Sequence, residues 1–144
     1  VSAEIAEGYY SLPFGKANVL RSGDAATIIT YGLGVHWALD LAESQPDLDI
    51  EIIDLRTLAP LDTETIFESA RKTGRVLILH EDCMTGGIGG ELSSLIQENC
   101  FEQLDAPILR CASLDTPVPF AADLERNFLA SDRLNDSLSR LLSY

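Results

Sequence analysis

The chain has 144 residues, 46% of them hydrophobic, with 23 acidic against 10 basic side chains and a net charge of −13. That is one domain's length, and a chain of roughly 150 residues buries about 70% of its surface, enough for a real core. The charge argues against nucleic acid and anionic membrane surfaces as partners; it favours a basic protein partner or high solubility.

No apolar run approaches the ~20 residues needed to span a bilayer. Val1-Ser2-Ala3-Glu4 has no initiator Met and no basic stretch, so it does not read as a signal peptide, and the chain is expected to begin inside a longer polypeptide. Cys83, Cys100 and Cys111 are odd in number and none sits at C-x-x-C spacing. A disulfide framework or a zinc site is therefore disfavoured, and a reducing cytoplasm fits. Cys100 and Cys111 stand in apolar contexts and read as buried thiols.

In chain order, Glu7 to Gly23 is a lead-in with a turn over Leu12–Lys16 and a short extended stretch over Ala17–Arg21. Ala25–Gly32 is apolar and β-branched, a buried strand. Leu33, Trp37, Ala38, Leu41 and Ala42 then mark one face of a helix that Pro46 stops. Ile50–Asp54 is a second strand. Asp62 is positioned as an N-cap, Ile66, Phe67 and Ala70 give a buried face, and Gly74 closes that helix in the left-handed conformation. Arg75–His80 is a third buried strand. The glycine-rich loop Thr85–Gly90 leads into a helix with Leu92, Leu95, Ile96 and Asn99 on its face. Ala106–Cys111 is a further strand, Ser113–Phe120 a loop, and a last helix from Ser131 or Asp132 carries Leu134, Leu138, Leu141 and Leu142.

Strands alternating with three-turn helices require crossovers over a parallel sheet, which predicts a three-layer α/β/α domain. Residues 1–16 are expected to be a linker from an upstream domain, and 17–144 a single domain. The stretch at Ala17–Arg21 has no crossover helix after it, so it can lie antiparallel at an edge.

Ligands in such sheets bind at the carboxyl ends of the strands. The sequence places Tyr31-Gly32, Asp54 to Arg56, His80-Glu81-Asp82 and Ser113 to Pro117 there. Gly86-Gly87-Ile88-Gly89-Gly90 precedes a helix, as phosphate loops do, but it matches neither common phosphate motif. It holds no Lys or Arg, and Glu91 follows it. These glycines read first as allowing the helix to pack close to the sheet or to a partner. His80 is the one weak catalytic candidate, as a base or, with Cys83 three residues on, as part of a nucleophile pair. It reads first as a structural or interface residue. Two histidines, His36 and His80, without H-x-x-x-H spacing make a metal site improbable. Asp54 and Arg56 suggest an ion pair fixing their loop. Asp115-Thr116-Pro117 reads as a rigid turn with side chains capping nearby backbone.

Several landmarks in order carry a resemblance: Leu12-Pro13-Phe14-Gly15-Lys16-Ala17, Tyr31-Gly32, the run from Ile53 to Asp62, and Lys72-Thr73-Gly74-Arg75. They continue with His80-Glu81, Thr85 to Glu91, Leu104-Asp105-Ala106-Pro107 and Asp115-Thr116-Pro117. The chain resembles the C-terminal domain of the β-subunit, or of the fused αβ chain, of thiamine-diphosphate-dependent 2-oxo acid dehydrogenases, the transketolase C-terminal domain family. His-Glu followed by Thr-Gly-Gly is most like the branched-chain, 2-oxoisovalerate branch. The ending Leu141-Leu142-Ser143-Tyr144 resembles a natural terminus of bacterial fused forms, which implies a cytoplasmic bacterial protein, a true end at Tyr144 and a Val1 that is not the natural start.

The resemblance implies a five-stranded mixed sheet with one antiparallel edge strand. It implies that thiamine diphosphate and magnesium are held by upstream domains, with no cofactor and no catalytic group in this one. The implied role is assembly, including a homodimer through this domain, and docking of the dihydrolipoamide acyltransferase. His80, Glu81, Gly86, Gly87, Asp115 and Pro117 are the implied contact residues, with the loop after His80 and the segment Asp115 to Phe120 as the dimer candidates. In some relatives a C-terminal carboxylate and an acid at the Asp105 position receive basic side chains of the acyltransferase, which implies that role for Tyr144 and Asp105. Two alternatives stand beside this: a free-standing domain binding a small anion at residues 86–90, and the C-terminal domain of another thiamine enzyme such as transketolase or pyruvate dehydrogenase.

Overall fold

The computed structural model describes residues 7–144; the first six residues of the expected linker lie outside the described part. Five strands form one sheet: β1 (Asn18–Arg21), β2 (Ala26–Thr30), β3 (Ile50–Asp54), β4 (Val76–Cys83) and β5 (Leu109–Ser113). Their order is β1-β3-β2-β4-β5. β1 runs antiparallel to β3 at the edge, and the other pairings are parallel. This is the expected mixed sheet, and the reason is visible in burial. β2 is buried at every position, as a central strand covered on both faces must be. β1 is half exposed and suits an edge.

The helices are α1 (Leu33–Ser44), α2 (Thr63–Thr73), α3 (Ile88–Cys100), α4 (Ala122–Phe128) and α5 (Ser131–Leu142). α1 and α5 cover one face, with Ala38, Ala42, Leu134 and Leu138 packed on Ile28, Ile52 and Leu79. α2 and α3 cover the other, with Ile66, Ala70, Leu92 and Ile96 packed on Ile29, Ile53 and Ile78. Each such side chain contributes about 1.5–3 kcal/mol by leaving water. The chain passes from β2 to β3 on one side and then back across to β4 on the other. The winding therefore reverses at β2, and α1 and α2 fall on opposite faces.

α2 has the predicted signals at both ends. The Asp62 carboxylate accepts the Thr65 N–H at 3.4 Å and also the Ala17 N–H at 3.0 Å, which ties the lead-in to the domain. Gly74 closes the helix at φ 64°. Three boundaries differ from the sequence reading. β4 runs on to Cys83, past His80. α3 begins at Ile88, inside the glycine run, so Gly89 and Gly90 are helical. β5 begins at Leu109, after Pro107, which has no N–H to give a ladder. α4 falls between the expected loop to Phe120 and the expected last helix, in a stretch the sequence reading did not assign; its residues are mostly exposed, so no buried stripe marks it.

Under α2 lies a buried polar chain. The Thr27 hydroxyl is 2.7 Å from that of Ser69 and 2.8 Å from that of Thr73. Ser69 also donates to the buried Glu51 carboxylate, which pairs in turn with the Lys72 ammonium. That hydrogen bond from Lys72 to Glu51 is the main reason the Lys72 pKa is raised.

Candidate functional site

The winding reversal puts the carboxyl ends of β2 and β4 side by side, where a ligand crevice would be expected in an open α/β sheet. Tyr31 stands at the first and Glu81 and Asp82 at the second. Burial raises the Tyr31 pKa, and the Asp82 and Glu81 charges push the same way. The crevice is therefore an acidic rim around a protonated phenol, unsuited to a phosphate.

His80 is not on that rim. It is fully buried, and its ring lies under the start of α3. A Cβ at Gly89 would stand 2.5 Å from Nε2, and one at Gly87 2.7 Å from Cε1 and closer still to the Cys83 carbonyl. Gly87 and Gly89 are thus required for the helix to sit on the ring, as the packing reading of the glycines expected. Gly86 and Gly90 meet no such obstacle; Gly86 serves the turn through its φ of 79°. Among the described residues neither ring nitrogen makes a hydrogen bond of good geometry, the Asp82 carbonyl offering only a poor one. Burial holds the His80 pKa below its ordinary 6.5, Arg110 acts the same way, and the Asp82 carbonyl and carboxylate oppose them. The ring is sealed beneath the start of α3, and that burial corrects its expected place on the exposed strand-end rim.

The loops after β4 and β5 are clamped together. Thr85 donates its N–H to Asp115 Oδ1 at 2.8 Å and its hydroxyl to Oδ2 at 2.7 Å. These bonds hold the Asp115 carboxyl below the usual carboxylate range. The expected local cap is thus a long-range one. Asp54 likewise makes no ion pair with Arg56; its carboxylate accepts the Arg56 N–H at 3.0 Å, and Arg56 turns the chain at φ 56°. A two-residue Asx turn satisfies that backbone group more directly than an exposed guanidinium would.

The sequence reading missed Arg110. It is distant in the chain from the glycine loop, yet it donates to the Met84 carbonyl at 3.2 Å, and a Cβ at Gly90 would lie 3.7 Å from its Nη1. Strand adjacency of β4 and β5 brings it there, and no local pattern signals it.

Beside the clamp, Leu114, Val118, Phe120 and Leu124 are exposed, Phe120 wholly so, and Pro117 is exposed among them. Glu81 and Gly86 are exposed on the adjoining loop. Asp105 lies elsewhere, before β5. Its N–H bonds the Gly74 carbonyl at 2.8 Å, and its carboxylate is 3.7 Å from the Arg75 guanidinium. α5 begins beside Ala112, whose carbonyl accepts from Arg133 at 2.8 Å, and carries the exposed Tyr144 away from the Asp115 loop. The eight candidates therefore divide. Glu81, Gly86, Gly87, Asp115 and Pro117 share the carboxyl edge over His80, while Asp105 and Tyr144 do not join them.

Among the described residues no three His, Cys, Asp or Glu side chains gather to hold a metal, and no helix is long and apolar enough to cross a membrane. Cys100 and Cys111 are buried, with pKa values raised by that burial. The acidic crevice and the sealed His80 do not fit a thiamine diphosphate–magnesium pair, which needs a metal-ligating set and a pyrophosphate cradle.

A doubly wound sheet with one antiparallel edge and helices on both faces defines a three-layer α/β domain. The chain belongs to the family described as "Transketolase, C-terminal domain", which matches residues 15–133. It is 49% identical over 122 residues to the 2-oxoisovalerate dehydrogenase subunit beta of Pseudomonas aeruginosa, covering 85% of this chain and 35% of that one. Against the subunit of the same name from Bacillus subtilis it is 42% identical over 148 residues, covering 100% and 45%. Against the pyruvate dehydrogenase E1 component subunit beta of Rickettsia bellii it is 41% identical over 133 residues, covering 91% and 41%. Among solved structures, a split-gene transketolase described as an inactive beta4 tetramer superposes with a TM-score of 0.74 at 26% identity, covering 98% of this chain and 46% of that one. The chain thus spans less than half the length of the relatives it matches.

Proposed function

We propose that this is the assembly and partner-docking domain of the decarboxylating, acyl-transferring component of a 2-oxo acid dehydrogenase complex, of the branched-chain type. In that reading the parent enzyme decarboxylates a 2-oxo acid and passes the acyl group to lipoamide in a bacterial cytoplasm. Thiamine diphosphate and magnesium are held by its other domains, and this chain is inert alone. The observation that carries the reading is the exposed apolar set of Leu114, Val118 and Phe120 on the loop after β5 and Leu124 on α4, with the Thr85–Asp115 bonds tying that loop to the one after β4. Desolvatable, apolar surface is what a protein interface uses. That surface pairs two copies of the domain, with Glu81, Gly86 and Pro117 exposed around it and Gly87 buried beneath the loop. Asp105 and Tyr144 meet basic side chains of the acyltransferase.

The test is made in the complete enzyme. Phe120→Glu is expected to break its assembly in sedimentation while leaving this domain folded, and Asp105→Asn to weaken acyltransferase binding without affecting assembly. Unchanged assembly in Phe120→Glu sinks the interface, and calorimetric binding of thiamine diphosphate to this chain alone sinks the inert-domain reading.

Arg110 beside Gly90 favours a second reading, a small-anion site at the start of α3. Glu91 in the first helical turn opposes it. Amide shifts in residues 86–90 with millimolar phosphate would support it, and their absence would end it.

A further inference from the structure

On the opposite face from the glycine loop, a groove of about 280 Å³ opens between α1 and α5. Trp37, Leu41 and Leu134 line it with apolar surface, Asp40, Ser44 and Asn135 with polar groups. Its walls are held in place: the Gln45 amide donates to Asn135 Oδ1 at 2.8 Å, tying the end of α1 to α5. The groove lies along the second half of α1, at the negative end of that helix's dipole, and the last turn there holds no basic residue to neutralise it.

The charged side chain in the lining of the groove is Asp40, a carboxylate. Arg133 on α5 has its guanidinium taken up by the carbonyls of Ala112, Asn127 and Phe128. Trp37 is part of the lining, and an indole is the aromatic ring best suited to a cation. An aromatic wall, a carboxylate, a helix carboxyl terminus and an aliphatic floor are together the recognition elements for an ammonium or guanidinium on an apolar stem. The net charge of −13 extends that preference beyond the groove.

We propose that the α1–α5 groove is a docking seat for a lysine or arginine side chain from a basic segment of a protein partner. The stem lies on Leu41 and Leu134, and the charged head meets Asp40 and the face of Trp37. The inference needs neither the carboxyl-edge interface nor the Asp105 and Tyr144 docking role, and it stands if either fails.

Trp37 is the one tryptophan of the chain, so its emission and its indole N–H resonance report on this groove alone. At constant ionic strength, n-butylammonium and a short lysine peptide are titrated against n-butanol, butyrate and the same peptide with norleucine. The expected result is a saturable Trp37 response to the two ammonium probes, with no matching response to the three controls. Asp40→Asn is expected to weaken it about fivefold, the range of an exposed charge pair. Asp40→Lys is expected to abolish it, because the groove then carries its own ammonium. Both variants are at an exposed position and retain the fold, checked by thermal unfolding. A flat titration, an equal response to butanol or norleucine, or undiminished binding in Asp40→Lys would overturn the proposal.

Discussion

Thr85 and Asp115 stand 30 residues apart in the chain and are joined by two hydrogen bonds, from the Thr85 N–H at 2.8 Å and its hydroxyl at 2.7 Å. The pair locks the loop that carries the glycines to the loop that carries Phe120. In Asp115→Ala the Thr85 amide loses its acceptor. Hydrogen exchange at Thr85 is expected to accelerate at least several-fold, while exchange in β2 stays as it was. Because the Asp115 carboxyl titrates below its usual range, the clamp persists through mild acid and is released only as pH falls through that lowered value. Unaltered exchange at Thr85 in the variant would contradict the clamp.

Gly89 and His80 can be tested as a pair. Gly89→Ala puts a methyl 2.5 Å from Nε2 in a buried contact and is expected to cost about 1–3 kcal/mol in urea unfolding. His80→Ala removes the obstacle, so the double variant is expected to lose less than the sum of the two single losses. Additive losses would mean that the ring and the helix start do not press on each other.

The pH dependence of folding is a separate measure of His80. Its folded pKa lies below the ordinary 6.5, so the unfolded chain binds the extra proton first. The contribution of His80 to stability is complete above 6.5 and declines as pH falls from there through the lowered folded value. The urea midpoint is expected to drop across that window, and His80→Leu, whatever its stability at high pH, is expected to drop less. Equal slopes would place the ring in contact with water or a partner.

Ser69→Ala deletes the hydroxyl between Thr27 and the buried Glu51. The Glu51 oxygen left without a donor is expected to cost about 1–3 kcal/mol. Thermal or urea unfolding reads this directly. A neutral substitution would show that water replaces the hydroxyl under α2.

The five-stranded sheet was legible because each element has its own period or cap. The unbroken apolar run at Ile28-Ile29, the Asp62 cap and the Gly74 stop are local signals, and each stands where it was expected. The purpose of the glycines was half legible. Their lack of a cation within the loop argued for packing, but what they pack on, the ring of His80, depends on α3 starting at Ile88 over the end of β4. Arg110 and the Asp115–Thr85 bonds were not legible, since both cross between β4 and β5. The α1–α5 groove was invisible for the same reason: its residues belong to two helices about ninety positions apart, like the Gln45–Asn135 bond that spans it.

From sequence alone follow the layer architecture, the antiparallel edge, the buried thiols and the family. All of these rest on near-neighbour patterning or on ordered motifs along the chain. Only the tertiary structure decided that His80 is sealed beneath the glycine loop, away from the acidic rim. It alone separated Asp105 and Tyr144 from the clamp at Asp115. The physical reason is that burial and charge pairing depend on which strands are neighbours, and strand order in a sheet that winds both ways is set by how the helices cover its two faces.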